Sequence, residues 1–181
     1  MGIKSKKYWI IAIILTLLSI ALNAFIIYQS CLNGADSSTS SGFVVNALKT
    51  MINTFIPNAI NDDNIGQFSN VVRKLIGHFG LFAASGLITT IALDFWFKPW
   101  VWYKNFVTPL LSLLTGVSLA ALTEIIQHFT PNRSGEFKDV LIDSAGYLLG
   151  CALMILFIFL VTSAIKKRQA KKQISKQNPV I

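Results

Sequence analysis

Four stretches of this chain are too long and too apolar to be the buried face of a small soluble domain. They run from about Tyr8 to Tyr28, Leu75 to Phe97, Phe106 to Phe129 and Val140 to Ile165. About 20 helical residues cross the ~30 Å hydrocarbon layer of a bilayer, and each stretch reaches that length. Lipid offers no partner to a bare peptide group, so these segments are predicted to be helices rather than isolated strands. Only 13% of the 181 residues are charged, about half the share of a typical soluble domain. Disorder is excluded by the same composition. The expected architecture is an all-α membrane protein: one domain over residues 1–181 with four transmembrane helices.

Basic residues set the orientation. Lys4, Lys6 and Lys7 precede the first span, and Lys166, Lys167, Arg168, Lys171, Lys172 and Lys176 follow the fourth. An even number of spans puts both ends on one side, and the positive-inside rule makes that side the cytoplasm. With Lys98 and Lys104, the inner side holds 11 basic residues and one acid (Asp94), against 5 basic residues and 7 acids outside. Trp9, Trp96, Trp100 and Trp102 all fall at the predicted inner interface, where an aromatic belt belongs. The formal charge of +8 is therefore a topology signal, and no nucleic-acid partner is expected. Asp94 is placed to pair with Lys98 one helical turn away. Cys31 and Cys151 lie far apart along the spans, so no disulfide is expected.

Residues 29–74 form the one long outer loop. Ser37 to Ser41 reads as a flexible Ser/Thr linker. Phe43 to Ile56 carries Phe43, Val44, Ala47, Leu48, Met51, Ile52 and Phe55 at helical spacing. This predicts an extracytoplasmic amphipathic helix ended by Pro57, covering apolar surface or a site. Asn61 to Ser69 reads as a polar turn. Residues 166–181 form a basic tail suited to anionic lipid.

Ionisable groups inside or beside a span are costly and mark function by default. Here they converge. His78 stands at the outer start of span two, Glu124 and Gln127 at the outer end of span three, Arg133 and Asp139 in the short outer turn, and Asp143 at the start of span four. Gly116, Ala120, Glu124 and Gln127 share one helical stripe, and Asp139, Asp143, Gly146 and Gly150 share another. Small residues permit close helix approach, so the two stripes are expected to face each other. Arg133 would then bridge Glu124 and Asp143 or Asp139, or hold a ligand phosphate. His128, adjacent to the stripe, is expected to point toward the interface in a structural role. One His with mixed acids makes a weak metal case, so no metal and no cofactor is assigned.

At these residues the chain resembles the VanZ family of small bacterial membrane proteins. The matching segments are Val71-Val72-Arg73-Lys74-Leu75-Ile76-Gly77-His78-Phe79, Glu124 with Gln127, Arg133, Asp139, and Asp143 through Gly146 to Gly150. Many members carry Asn where this chain has Ser144. The resemblance covers roughly residues 70–165. It implies a four-helix protein of the bacterial plasma membrane and cell envelope, in a family whose founding member is associated with low-level teicoplanin resistance.

Three functions are open at this point. The preferred one is a non-enzymatic envelope protein whose outer polar site binds an anionic lipid-linked component and so contributes to glycopeptide resistance. The second is an intramembrane hydrolase or transferase on a lipid-linked precursor, with Glu124 or Asp143 as base, His78 as acid and Arg133 as anion stabiliser. The third is a structural membrane subunit. Membrane lipids are the expected partners.

Overall fold

A computed structural model describes residues 6–97 and 104–177. Among them there is no strand, and four helices are long and apolar enough to cross a membrane. Span one is Lys6–Cys31, span two Ile65–Phe97, span three Phe106–Phe129 and span four Phe137–Gln173. A further helix, Gly34–Phe55, lies in the connection between spans one and two.

The outside of the bundle is apolar. Ile13, Leu17, Phe25, Leu114, Ile125, Phe157 and Leu160 are all exposed, a surface that would aggregate in water and belongs in lipid. The inside is small and polar. Ser19 hydrogen-bonds Thr89 at 2.7 Å, and Thr90 bonds Ser112 at 2.7 Å. Ser112 also meets Cys151 Sγ at 3.0 Å, so one chain of bonds ties spans two, three and four. In lipid there is little hydrophobic drive between helices, and such bonds and close contacts hold a bundle together. At the far end of span one, the Tyr8 hydroxyl donates to the Phe95 carbonyl and Trp96 Nε1 donates to Thr16 Oγ1 at 2.8 Å. Both cysteines are free.

Close approach is concentrated between spans two and four. A Cβ on Gly150 would stand 2.0 Å from the Ala83 carbonyl oxygen, and one on Gly146 would stand 2.4 Å from that of Phe79. The Gly146/Gly150 stripe therefore packs on span two, not on span three as the spacing had predicted. Gly116 of span three instead receives the Tyr147 ring of span four, 2.3 Å from where its Cβ would be. A small-residue stripe makes room, but the order in which the helices pack decides which partner takes it.

The loops depart from expectation in three places. Ser37 to Ser41 is helical, not a linker. Asn33 caps the helix by accepting from the Asp36 amide at 2.9 Å, and Asp36 occupies the first turn, which offsets the poor helix propensity of serine. The polar turn ends at Asn64, where the Asn61 side chain accepts from the Asp63 and Asn64 amides. Span two starts at Ile65, ten residues before Leu75, because its first turns are too polar for a hydropathy reading. Span four runs on as helix through the basic tail to Gln177. Its 41 residues measure about 60 Å, so the last turns project beyond any hydrocarbon layer. Trp100, Trp102 and Lys98, with its pairing to Asp94, lie outside the described residues.

Candidate functional site

Span two is not a uniform α-helix. Arg73–Gly80 is wound as a π-helix, a local widening that recurs at functional sites. In an α-helix, residues five apart point about 140° away from each other. With i→i+5 bonding the turn is wider and that angle shrinks, which brings Arg73 and His78 toward one face. Both side chains line the same two cavities.

The turn after span three is folded over its last residues. Asn132 takes a left-handed conformation (φ 58°), which asparagine tolerates. Gly135 passes so close that a Cβ would stand 2.4 Å from the Glu124 carbonyl oxygen. That approach lets the Glu136 amide donate to Glu124 Oε2 at 3.0 Å. Glu124 is 5% exposed, and its Oε1 has no partner.

The six residues singled out from the sequence end up at one end of the bundle. His78 Nδ1 lies 3.2 Å from Asp143 Oδ1 and 3.4 Å from Oδ2. Asp143 is fully buried. Lys74, which the sequence reading did not single out, donates to Asp139 Oδ1 at 2.6 Å and lies 3.9 Å from Glu136. Gln127 is buried and lines both cavities. His128 is exposed and lies edge-on to Phe129.

Arg133 does something other than bridge the acids. Its Nη1 donates to the Gln29 carbonyl at 2.9 Å and to that of Leu32 at 3.4 Å, so it satisfies carbonyls at the C-terminal end of span one. Burial makes this guanidinium less basic than usual, and the Arg73 charge works in the same direction. Arg73 donates from Nη2 to Ser37 Oγ at 3.4 Å. Among the described residues, no carboxylate lies within ion-pairing distance of either arginine. The acids have other partners: Asp139 has Lys74, and Asp143 has His78.

The two cavities differ in character. One, about 300 Å³, is walled by apolar side chains of span one (Phe25, Ile26), the connecting helix (Val44) and span two (Val72, Leu81, Phe82). The other, about 460 Å³, is polar and reaches Lys74, Glu136 and Asp139. They share Arg73, His78, Gln127 and Arg133. An apolar slot and a polar chamber thus share a wall that includes two arginines. The missed residues were Arg73, Lys74, Ser37 and Gln29. Only Arg73 and Lys74 left a trace in the sequence, as the basic pair ahead of His78.

No curated protein and no solved structure matches the chain. The family model described as VanZ/LLP1 matches residues 12–160, and with its four apolar helices the chain is a multi-pass membrane protein that belongs to the VanZ/LLP1 family.

Proposed function

We propose that this protein binds the anionic head group of a lipid-linked envelope component at the outer face of the bacterial plasma membrane. The observation that carries this reading is the pair of guanidiniums, Arg73 and Arg133, both lining an apolar slot and, among the described residues, neither within ion-pairing distance of a carboxylate. Arginine forks fit phosphate and carboxylate, and the slot accepts part of a lipid tail. Both termini are cytoplasmic by the charge distribution, which puts the site and the Gly34–Phe55 helix outside. Ser37, Ser41 and Val44 of that helix line the slot, consistent with a lid. By withholding a lipid-linked precursor, the protein lowers access by a lipoglycopeptide.

Teicoplanin susceptibility of a sensitive Gram-positive host tests this reading. The host expresses native protein or Arg73→Gln at matched membrane levels. Protection by the native chain and none by the variant is the expected result. Equal protection by both removes the arginines from the function, and protection by neither detaches resistance from this protein.

The His78–Asp143 pair favours a second reading, chemistry on the bound head group. A buried carboxylate that fixes an imidazole is the arrangement of a general acid or base. Conversion of a polyprenyl-linked substrate by purified protein, lost in His78→Gln, would establish it.

A further inference from the structure

His78, Glu124 and Asp143 come from three different helical segments, yet each offers a donor atom within 4.8 Å of the other two. Glu124 and Asp143 are both more than nine-tenths buried. Glu124 Oε1 lacks a hydrogen-bond partner, and Asp143 Oδ1 meets only the His78 imidazole, at 3.2 Å. Buried polar atoms are nearly always satisfied, so an orphaned carboxylate oxygen beside a buried His–Asp pair calls for a ligand. The neighbouring cations are committed elsewhere: Lys74 holds Asp139, and Arg133 holds backbone carbonyls of span one. Within the cluster itself, the His78 imidazole is the one group that faces the two carboxylates.

We propose that His78, Glu124 and Asp143 form a divalent metal site, with zinc the best-matched ion. One imidazole nitrogen and two carboxylate oxygens are a borderline donor set that suits zinc better than magnesium or calcium, which take all-oxygen shells. Three protein donors leave the fourth zinc position open, and His78 lines both cavities. Donors on a tetrahedral zinc ion stand about 3.4 Å apart. The His78–Asp143 separation of 3.2 Å already matches that spacing. A divalent ion would also neutralise both buried carboxylates, removing the cost of two like charges out of water. A phosphate oxygen of a head group held by Arg73 and Arg133 is a suitable fourth ligand, but the ion needs no lipid to bind.

The test uses the full-length protein in detergent, with its tag removed and metal stripped by chelator. It is equilibrated with zinc, desalted and assayed by elemental mass spectrometry. About one zinc per chain is expected, with binding weakened at least tenfold by His78→Gln and by Glu124→Gln. Ser19→Ala, in the middle of the bundle, should keep full stoichiometry. Should a variant fail to elute as a single species, cobalt(II) added to the native protein reports instead, through the intense visible absorption of a tetrahedral nitrogen–oxygen site. Zinc well below one per chain with no cobalt spectrum, or full zinc retention by folded Glu124→Gln, would overturn the site. No lipid is present, so failure here is separable from failure of the head-group reading.

Discussion

The middle of the bundle and its polar end are built from polar side chains to opposite effect. In the middle, Ser19 with Thr89 and Thr90 with Ser112 and Cys151 satisfy one another across helices. At the polar end, the buried Glu124 Oε1 has no partner, and two guanidiniums rest on neutral oxygens. The groups of the middle are neutral, so even an unpaired one, such as the buried Tyr147 hydroxyl, costs less than an unpaired carboxylate. At the polar end Lys74 pairs with Asp139 and His78 with Asp143, yet neither arginine meets a carboxylate and Glu124 Oε1 meets no donor. That separation is the physical reason to read the end as a binding site and the middle as scaffold.

Substitutions can break this comparison, beginning with the scaffold. Gly150→Leu puts side-chain atoms where the Ala83 carbonyl stands. It should cost about 3 kcal/mol or more, seen as loss of the monodisperse species on size-exclusion chromatography. Gly135→Val should push the turn off Glu124 at a cost of about 1–3 kcal/mol, measured by the thermal midpoint in detergent.

At the polar end the sign should reverse. With chelator present, Glu124→Gln keeps an acceptor for the Glu136 amide while removing an uncompensated buried charge. Stability should hold or rise by about 1 kcal/mol, while function is lost. A fall of several kcal/mol would make Glu124 scaffold. The smallest effect belongs to the middle: a Ser19→Ala/Thr89→Ala double-mutant cycle should give a coupling of about 0.6 kcal/mol, the usual value for such bonds in membranes.

Much of this was legible in the chain. Apolar length alone marks four spans, and counting crossings brings His78, Glu124, Gln127, Arg133, Asp139 and Asp143 to one end. What escaped depends on geometry that hydropathy does not encode. Arg73 and His78 stand on different faces of any α-helical reading, and the π-helical turn unites them. Arg133 has backbone carbonyls of span one as partners, and carbonyls leave no mark in a sequence. The Gly146/Gly150 pattern announces a close contact without naming its partner, which proves to be span two. Ser37 to Ser41 is helical because Asn33 and Asp36 cap it from outside the run.

The central claim is that Arg73 and Arg133 hold an anionic lipid head group at the wall of the slot. Its most direct test is a binding titration of the protein in nanodiscs with a polyprenyl phosphate, against the uncharged polyprenol of equal length. Native protein should prefer the phosphate by about tenfold or more, as expected for a charge-assisted contact of about 1.5–3 kcal/mol. Arg73→Gln should erase most of that preference. Equal affinity of the native protein for phosphate and alcohol, or a preference unchanged in Arg73→Gln, would contradict the account.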